Sequence, residues 1–422
     1  MAARTTTLAT LFVGLVVCGT SGAQQGQRAV EFSADRTEMI RRGDRFLKRY
    51  TGAVVIRFGP GEWLTADEAT YDSDGRNINI AGSVVMQDSG RILRADRVQY
   101  LFRDNPRAGG HPLVLLLGRV ALVDNARRLN ADRAEYRSHA DSLAAFGDVV
   151  AKDSSRTVTA DTLLLKADGN RFVAMGRVVL EDTVENVTVR AGYYSFDGAD
   201  SVGVIAREPT LVRGAGDTAV TVRADSMILN VTGKKGSAWG TVRIEKGQMT
   251  AECDSLALDD NRGTIALFGH PHAVQKRQED STSTVDHLWG DRIVLEVEQS
   301  KITRILVDGS ARTSSTRSDS RGGLGPERWA TGSQMVFHVE HDEVREVIVW
   351  GQARSRYEPD FEDARESGTN EAAGDTIRVA FRDGKPVRVH LAGGVHGLYV
   401  QNVARRTDAT TRAASPDERR GG

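Results

Sequence analysis

Two cysteines in 422 residues leave no room for a disulfide framework. One of them, Cys18, falls in an N-terminal apolar segment described below. Cys253 then stands alone in the mature chain, and burial is the expected fate of an idle cysteine in an exported protein. Proline is scarce, at 9 copies, and no segment has a convincing helical period. Beyond the N-terminus no stretch is long and apolar enough to span a bilayer as a helix. Neither sign of charge prevails: 56 Lys and Arg against 57 Asp and Glu give a formal net charge of -1. No global field would draw the chain to nucleic acid, and any anion binding must be local.

Catalytic signatures are equally thin. There is no phosphate loop, no Gly-x-Ser-x-Gly elbow and no Cys-x-x-Cys pair, so the chain is not expected to be an enzyme or to need a cofactor. His270 and His272, two apart on one strand face, could ligate a metal with His287 or His341, but no ligand spacing supports it and no metal is expected.

What is present begins with an export signal. Arg4 supplies a positive start, Leu8 to Val17 an apolar core, and Ser21-Gly22-Ala23 the small residues of a cleavage site. The signal peptide is read as 1–23, with export to the periplasm. The rival is acylation of Cys18, for which Val17 is a poor preceding residue.

Glycine, at 43 copies, is frequent and regularly placed. One motif recurs: apolar, any residue, small, usually Asp, and then two apolar residues spaced by one. It reads Leu64-Thr65-Ala66-Asp67 with Ala69 and Tyr71, and Leu93-Arg94-Ala95-Asp96 with Val98 and Tyr100. It returns at Leu129, Val158 and Val222, and weakly at Phe32, Val189, Ala251, Leu288, Ala330 and Ala372. Between copies stands Gly-x-Val-x-apolar, at Gly52, Gly82, Gly118, Gly147, Gly176 and Gly240, and loosely at Gly269, Gly309, Gly351 and Gly393. Ala66 to Gly82, Ala131 to Gly147 and Ala160 to Gly176 are each 16 residues.

Both motifs alternate with period two, the mark of a strand with one buried face. In the first, the phase changes at Asp, so Leu64 and Ala66 can be buried together with Ala69 and Tyr71 only across a bulge or corner. Units of about 29 residues, each a pair of strands, would stack about ten deep, each burying its neighbour's apolar face. The expected fold is all-β: an elongated β-jellyroll or β-solenoid, an open rolled sheet. The expected organisation is a compact repeat region at 24–275, a second at 276–404 with longer loops, and a disordered tail at 405–422. Lys276 to Thr284 reads as a hinge or loop. Arg312 to Arg328 and Ser355 to Glu371 read as polar, mobile insertions.

Apolar-x-Ala-Asp-x-x-x-Tyr followed by Gly-x-Val-x-apolar resembles the OstA-like family, the periplasmic lipopolysaccharide-transport proteins of the LptA type. The resemblance is strongest from Thr51-Gly52-Ala53-Val54-Val55-Ile56 through Ala81-Gly82-Ser83-Val84-Val85-Met86. It implies an open V-shaped jellyroll that holds lipid A acyl chains and carries lipopolysaccharide towards the outer membrane. It also implies other Lpt-type envelope components joined by β-strand addition, and head-to-tail self-association. The chain departs from the family in being longer than a minimal bridge protein. It also has neither the strand-rich second half of the translocon barrel nor the anchor of the inner-membrane component.

On this reading the lipid-facing residues are Val54, Ile56, Val84, Met86, Val120, Leu122, Val149, Val178 and Leu180. A chain of about twelve carbons would gain roughly 9 kcal/mol there before ordering costs. The plainer reading is that these side chains close a dry core. Arg57, Arg94, Arg119 and Arg177 could meet lipid phosphates or simply form a solvated strand face. The alternatives to a lipid carrier are a structural β-repeat scaffold of the cell envelope and a carbohydrate-active β-helix enzyme. The enzyme would need its carboxylates gathered at one place, and they are evenly spread.

Overall fold

The computed structural model describes residues 31–401 except 44, 60–61, 73, 89–90, 125–126, 138–139, 141, 167–170, 280–281, 300, 319–322, 342, 359–367 and 383. The signal peptide, Cys18 and the tail at 405–422 lie outside the described residues. Among those described, every regular element is a strand apart from two single turns of 3-10 helix, Pro106–Ala108 and Gly216–Thr218. No helix among them is long and apolar enough to cross a membrane.

The chain divides into two compact units. One comprises 1–275 with 289–307, and the other 276–288 with 308–422. In the first, strands from Arg45–Gly59 to Val187–Asp197 follow one another as an antiparallel meander. The period-two pattern sets which side chains go in. The strand Arg127–Arg137 buries Leu129 and Ala131, then Ala134 and Tyr136. Its ladder to the next strand shifts between Asn130 and Arg133. The phase change in the sequence is therefore a bulge, which turns both apolar pairs to one side. The same shift occurs between Ala160 and Thr162, so that Val158, Ala160, Leu163 and Leu165 are all buried.

The meander does not continue as an open roll. Val187–Asp197 pairs through Tyr193 to Asp197 with Val202–Ala206, and through Val187 to Arg190 with Thr210–Arg213. Val202–Ala206 pairs with Ser226–Asn230, and Thr210–Arg213 with Val220–Arg223. Both of those pair with Lys235–Lys246. These six strands form a closed ring of hydrogen-bonded neighbours, a six-strand barrel in its pairing, and this overturns the open rolled sheet expected from the repeat. The cause is local. Arg207 and Glu208 both adopt positive φ, at 65° and 58°, and Pro209 follows with no N–H to give to a ladder. The strand is cut in two there, and Ala224-Asp225 cuts the next one likewise.

In the second unit Arg328–Glu340, Glu343–Tyr357 and Gly368–Arg382 form an antiparallel sheet, with Met335 opposite Val349 and Val349 opposite Ile377. These three side chains are at most 1% exposed and centre the core of this unit. The third strand also divides its partners, pairing through Thr376 to Arg382 with Lys385–Ala392 and through Gly368 to Ala373 with His396–Gln401.

One of the expected loops is largely strand, and strand enters two others. His272–Glu279 and Thr282–Trp289 occupy most of the supposed hinge at Lys276 to Thr284. A single strand runs from Lys301 to Ser318, through the start of the insertion expected at Arg312 to Arg328. Its uncharged polar residues are Thr and Ser, of which Thr suits a half-buried pleated surface, and Ser314 is buried. Strand also reaches into both ends of the insertion expected at Ser355 to Glu371, to Tyr357 and from Gly368.

Candidate functional site

The nine residues assigned to the interior form a row along the first unit. Eight are buried, none more than 7% exposed, and Met86 is half-buried. Their partners explain the spacing of the two motifs. Val54 lies opposite Ala66, Val84 opposite Ala95, Val120 opposite Ala131, Val149 opposite Ala160 and Val178 opposite Ala191. The valine of Gly-x-Val thus always meets the small residue of the small-Asp pair. Ile56, Leu122 and Leu180 meet Leu64, Leu129 and Val158 one layer on. A branched residue beside a small one on the next strand suits a close-packed face.

Cys253 takes the small slot opposite Val242. It is free and buried, and burial pushes its thiol up to about 11. At neutral pH it is a small apolar filler rather than a nucleophile.

The Asp that follows the small residue builds the corner. At Gly82 the backbone is left-handed, and the Asp67 side chain sits over its Cα, so that an added Cβ would collide with the carboxylate. The same arrangement joins Asp35 to Gly52, Asp96 to Gly118, Asp132 to Gly147, Asp161 to Gly176, Asp225 to Gly240, Asp254 to Gly269 and Asp375 to Gly393. Where the backbone contact is resolved, the Asp N–H donates to the glycine carbonyl, as from Asp35 to Gly52 at 2.9 Å and Asp375 to Gly393 at 2.8 Å. Positive φ alone does not demand glycine here. The next residue is also left-handed and is Ser83, Arg119 or Thr241. Glycine is required because the carboxylate occupies the space a side chain would need.

Two of the arginines considered for phosphate contact belong to these corners. Arg119 donates to Asp96 through Nη2 at 2.6 Å, and Arg177 meets Asp161 at 2.7 Å and Asp148 at 3.1 Å. The hydrogen bonds from Arg119 and Arg177 hold the Asp96 and Asp161 carboxyls below the usual range. Arg57 reaches Glu31 only at 3.9 Å, and both are largely exposed.

One charged pair was not legible from the repeat. Arg156 Nε donates to Asp182 at 2.8 Å, with the two side chains 9% and 4% exposed. Asp182 also accepts the N–H groups of Val184 and Glu185, each at 3.0 Å. Burial raises its carboxyl, but the Arg156 hydrogen bond and the two backbone donors outweigh it, and the net shift is downward. Beside it Phe172, Tyr194 and Phe196 form an aromatic cluster with centroids 5.2 and 5.9 Å apart, and burial raises the Tyr194 phenol.

The histidines serve elsewhere. His272 stacks on Trp289 at 4.9 Å, and His270 Nδ1 lies 3.6 Å from Asp291. His287 belongs to the other unit, where its carbonyl accepts from Thr313 Oγ1. Among the described residues no three His, Cys, Asp or Glu side chains gather as metal ligands.

No family model matches the chain, and no curated protein does. A crystal structure of LptH, described as the LptA-homologous periplasmic component of the lipopolysaccharide transport device from Pseudomonas aeruginosa, aligns with 32% of this chain and 83% of its own. The identity is 18% and the TM-score 0.25. A likeness at that level carries no argument about fold or function. The closed six-strand ring overturns the assignment to the OstA-like, LptA-type family. The lipopolysaccharide-carrier function, the lipid A partner, and strand addition to Lpt-type components or to further copies all rested on an open jellyroll, and they fall with it.

Proposed function

We propose that the chain is a non-enzymatic structural scaffold of the cell envelope, exported to the periplasm. The observation that carries this reading is where the repeat spends its residues. Each recurring Val is placed against a small residue, and each recurring Asp over a glycine. What is repeated is therefore what folds the chain. The carboxylates are distributed one to a corner rather than gathered where an acid and a base could act together. Export rests on Arg4, the Leu8 to Val17 core and Ser21-Gly22-Ala23.

A fluorescence titration with cis-parinaric acid tests it. A packed interior gives no saturable enhancement, because an acyl chain would have to displace side chains already in contact. Stoichiometric, saturable binding would overturn the scaffold reading.

A further inference from the structure

The second unit contains a corner built differently from the others. The weak copy Ala330-Thr331-Gly332-Ser333 puts serine where the repeat puts aspartate. Ser333 keeps the geometry: its side chain sits over the left-handed Gly351, and its Oγ donates to the Gly351 carbonyl at 3.3 Å. It does not keep the charge. At the Gly176 corner the Asp161 carboxylate accepts both the N–H and the Nε of Arg177, at 3.1 and 2.9 Å. At Gly351 the equivalent N–H belongs to Gln352, left-handed at φ 54°, and the side chain over the corner is a hydroxyl rather than a carboxylate.

The space is also open. A cleft of about 590 Å³ lies over this corner, lined among others by Ser310, Arg312, Thr331, Ser333, Gln352 and Arg354. None of its lining residues is acidic. Thr331 and Arg354 are register partners on adjacent strands, so their side chains share a face. Arg312 meets Glu327 at 3.5 Å at the edge of the cleft. Arg354 forms no ion pair with any described residue.

We propose that this cleft binds a small oxyanion, the phosphate or sulfate group of a monoester, in the place a corner carboxylate fills elsewhere. Guanidinium forks match the oxygens of such a group, and charge-assisted hydrogen bonds are the stronger kind. The hydroxyls of Ser310 and Thr331 and the Gln352 amide supply neutral donors. The inference is independent of the scaffold reading, which needs no ligand.

The test is isothermal titration calorimetry on the full mature chain with inorganic phosphate, inorganic sulfate, glucose 6-phosphate and glucose. Saturable one-to-one binding of the anions or of the ester, and none of glucose, is expected. Binding of the ester alone identifies an ester ligand, and equal binding of phosphate a free anion. Ser333→Asp supplies the carboxylate in place and should fold, since Asp is the residue at the other corners. Arg354→Gln removes one fork. Each should weaken binding at least about tenfold with an unchanged circular dichroism spectrum. Should Ser333→Asp not fold, Arg354→Gln alone decides. Absence of saturable binding at millimolar anion, or undiminished affinity in the folded variants, would overturn the proposal.

Discussion

Replacing Asp182 by alanine is expected to destabilise the first unit by about 3–5 kcal/mol, because it leaves the Arg156 guanidinium buried without its partner. It also strips the Val184 and Glu185 N–H groups of their acceptor, and each orphaned donor adds to the loss. The double variant Arg156→Met, Asp182→Leu should recover the part due to the unpaired charge, since a buried pair replaced by apolar groups of similar volume is often neutral, but not the part due to the two N–H groups. The pH dependence has a definite sign. The folded-state carboxyl is depressed, so its contribution is complete above the unfolded-state value of about 4 and is lost as pH falls through the lower folded value. Urea denaturation of wild type and Asp182→Asn should therefore show a gap that is constant near neutrality and closes below about pH 4. A gap that persists unchanged at pH 2 would contradict this account of the pair.

The second large effect lies at the corners. Gly82→Ala is expected to cost about 3 kcal/mol: roughly 1–2 from forcing an alanine into the left-handed region, and the rest from moving the Asp67 carboxylate. Ser83→Ala, one residue on and equally left-handed at φ 45°, should be nearly silent. In a double-mutant cycle, Asp67→Ala and Gly82→Ala should cost less together than the sum of the two, because truncating Asp67 removes the Cγ and Oδ2 that the new methyl meets. Additive losses would mean that the carboxylate is not what demands glycine. Thermal denaturation suffices, at about 2–4 °C per kcal/mol for a unit of this size.

The strands of the first unit were legible because each half-buried strand must alternate. The change of phase in Leu129-x-Ala131 then Ala134-x-Tyr136 located the bulge to the residue. The Ala66 slot and the Asp67 corner were legible too, since a carboxylate following a small residue at so many places could not be a single active site. The closed ring was not. It depends on which half of Val187–Asp197 meets which neighbour, and that follows from the backbone at Arg207-Glu208-Pro209 rather than from any apolar period. The end of the strand Lys301–Ser318, from Arg312 on, was misread because it is all Thr, Ser and Arg, a composition shared by loops and by half-buried strands. The Arg156–Asp182 pair left no trace in the repeat, being 26 residues apart at strand ends where charged residues are ordinary. Ser333 was visible as a defect in the motif, but the cleft beside it needed three strands to be placed together.

Reading the interior as a lipid groove went beyond what the pattern carries. Alternation shows that Val84 and Val178 are buried, and the structure places them there, but a packed layer and a lined groove have the same period.

The scaffold account meets its most direct test in native mass spectrometry of the purified protein, sprayed with and without added lipopolysaccharide. The account predicts no glycolipid adduct that depends on Val84 or Val178. A species heavier by the mass of a glycolipid, lost in a folded variant with Val84 or Val178 changed, would contradict it.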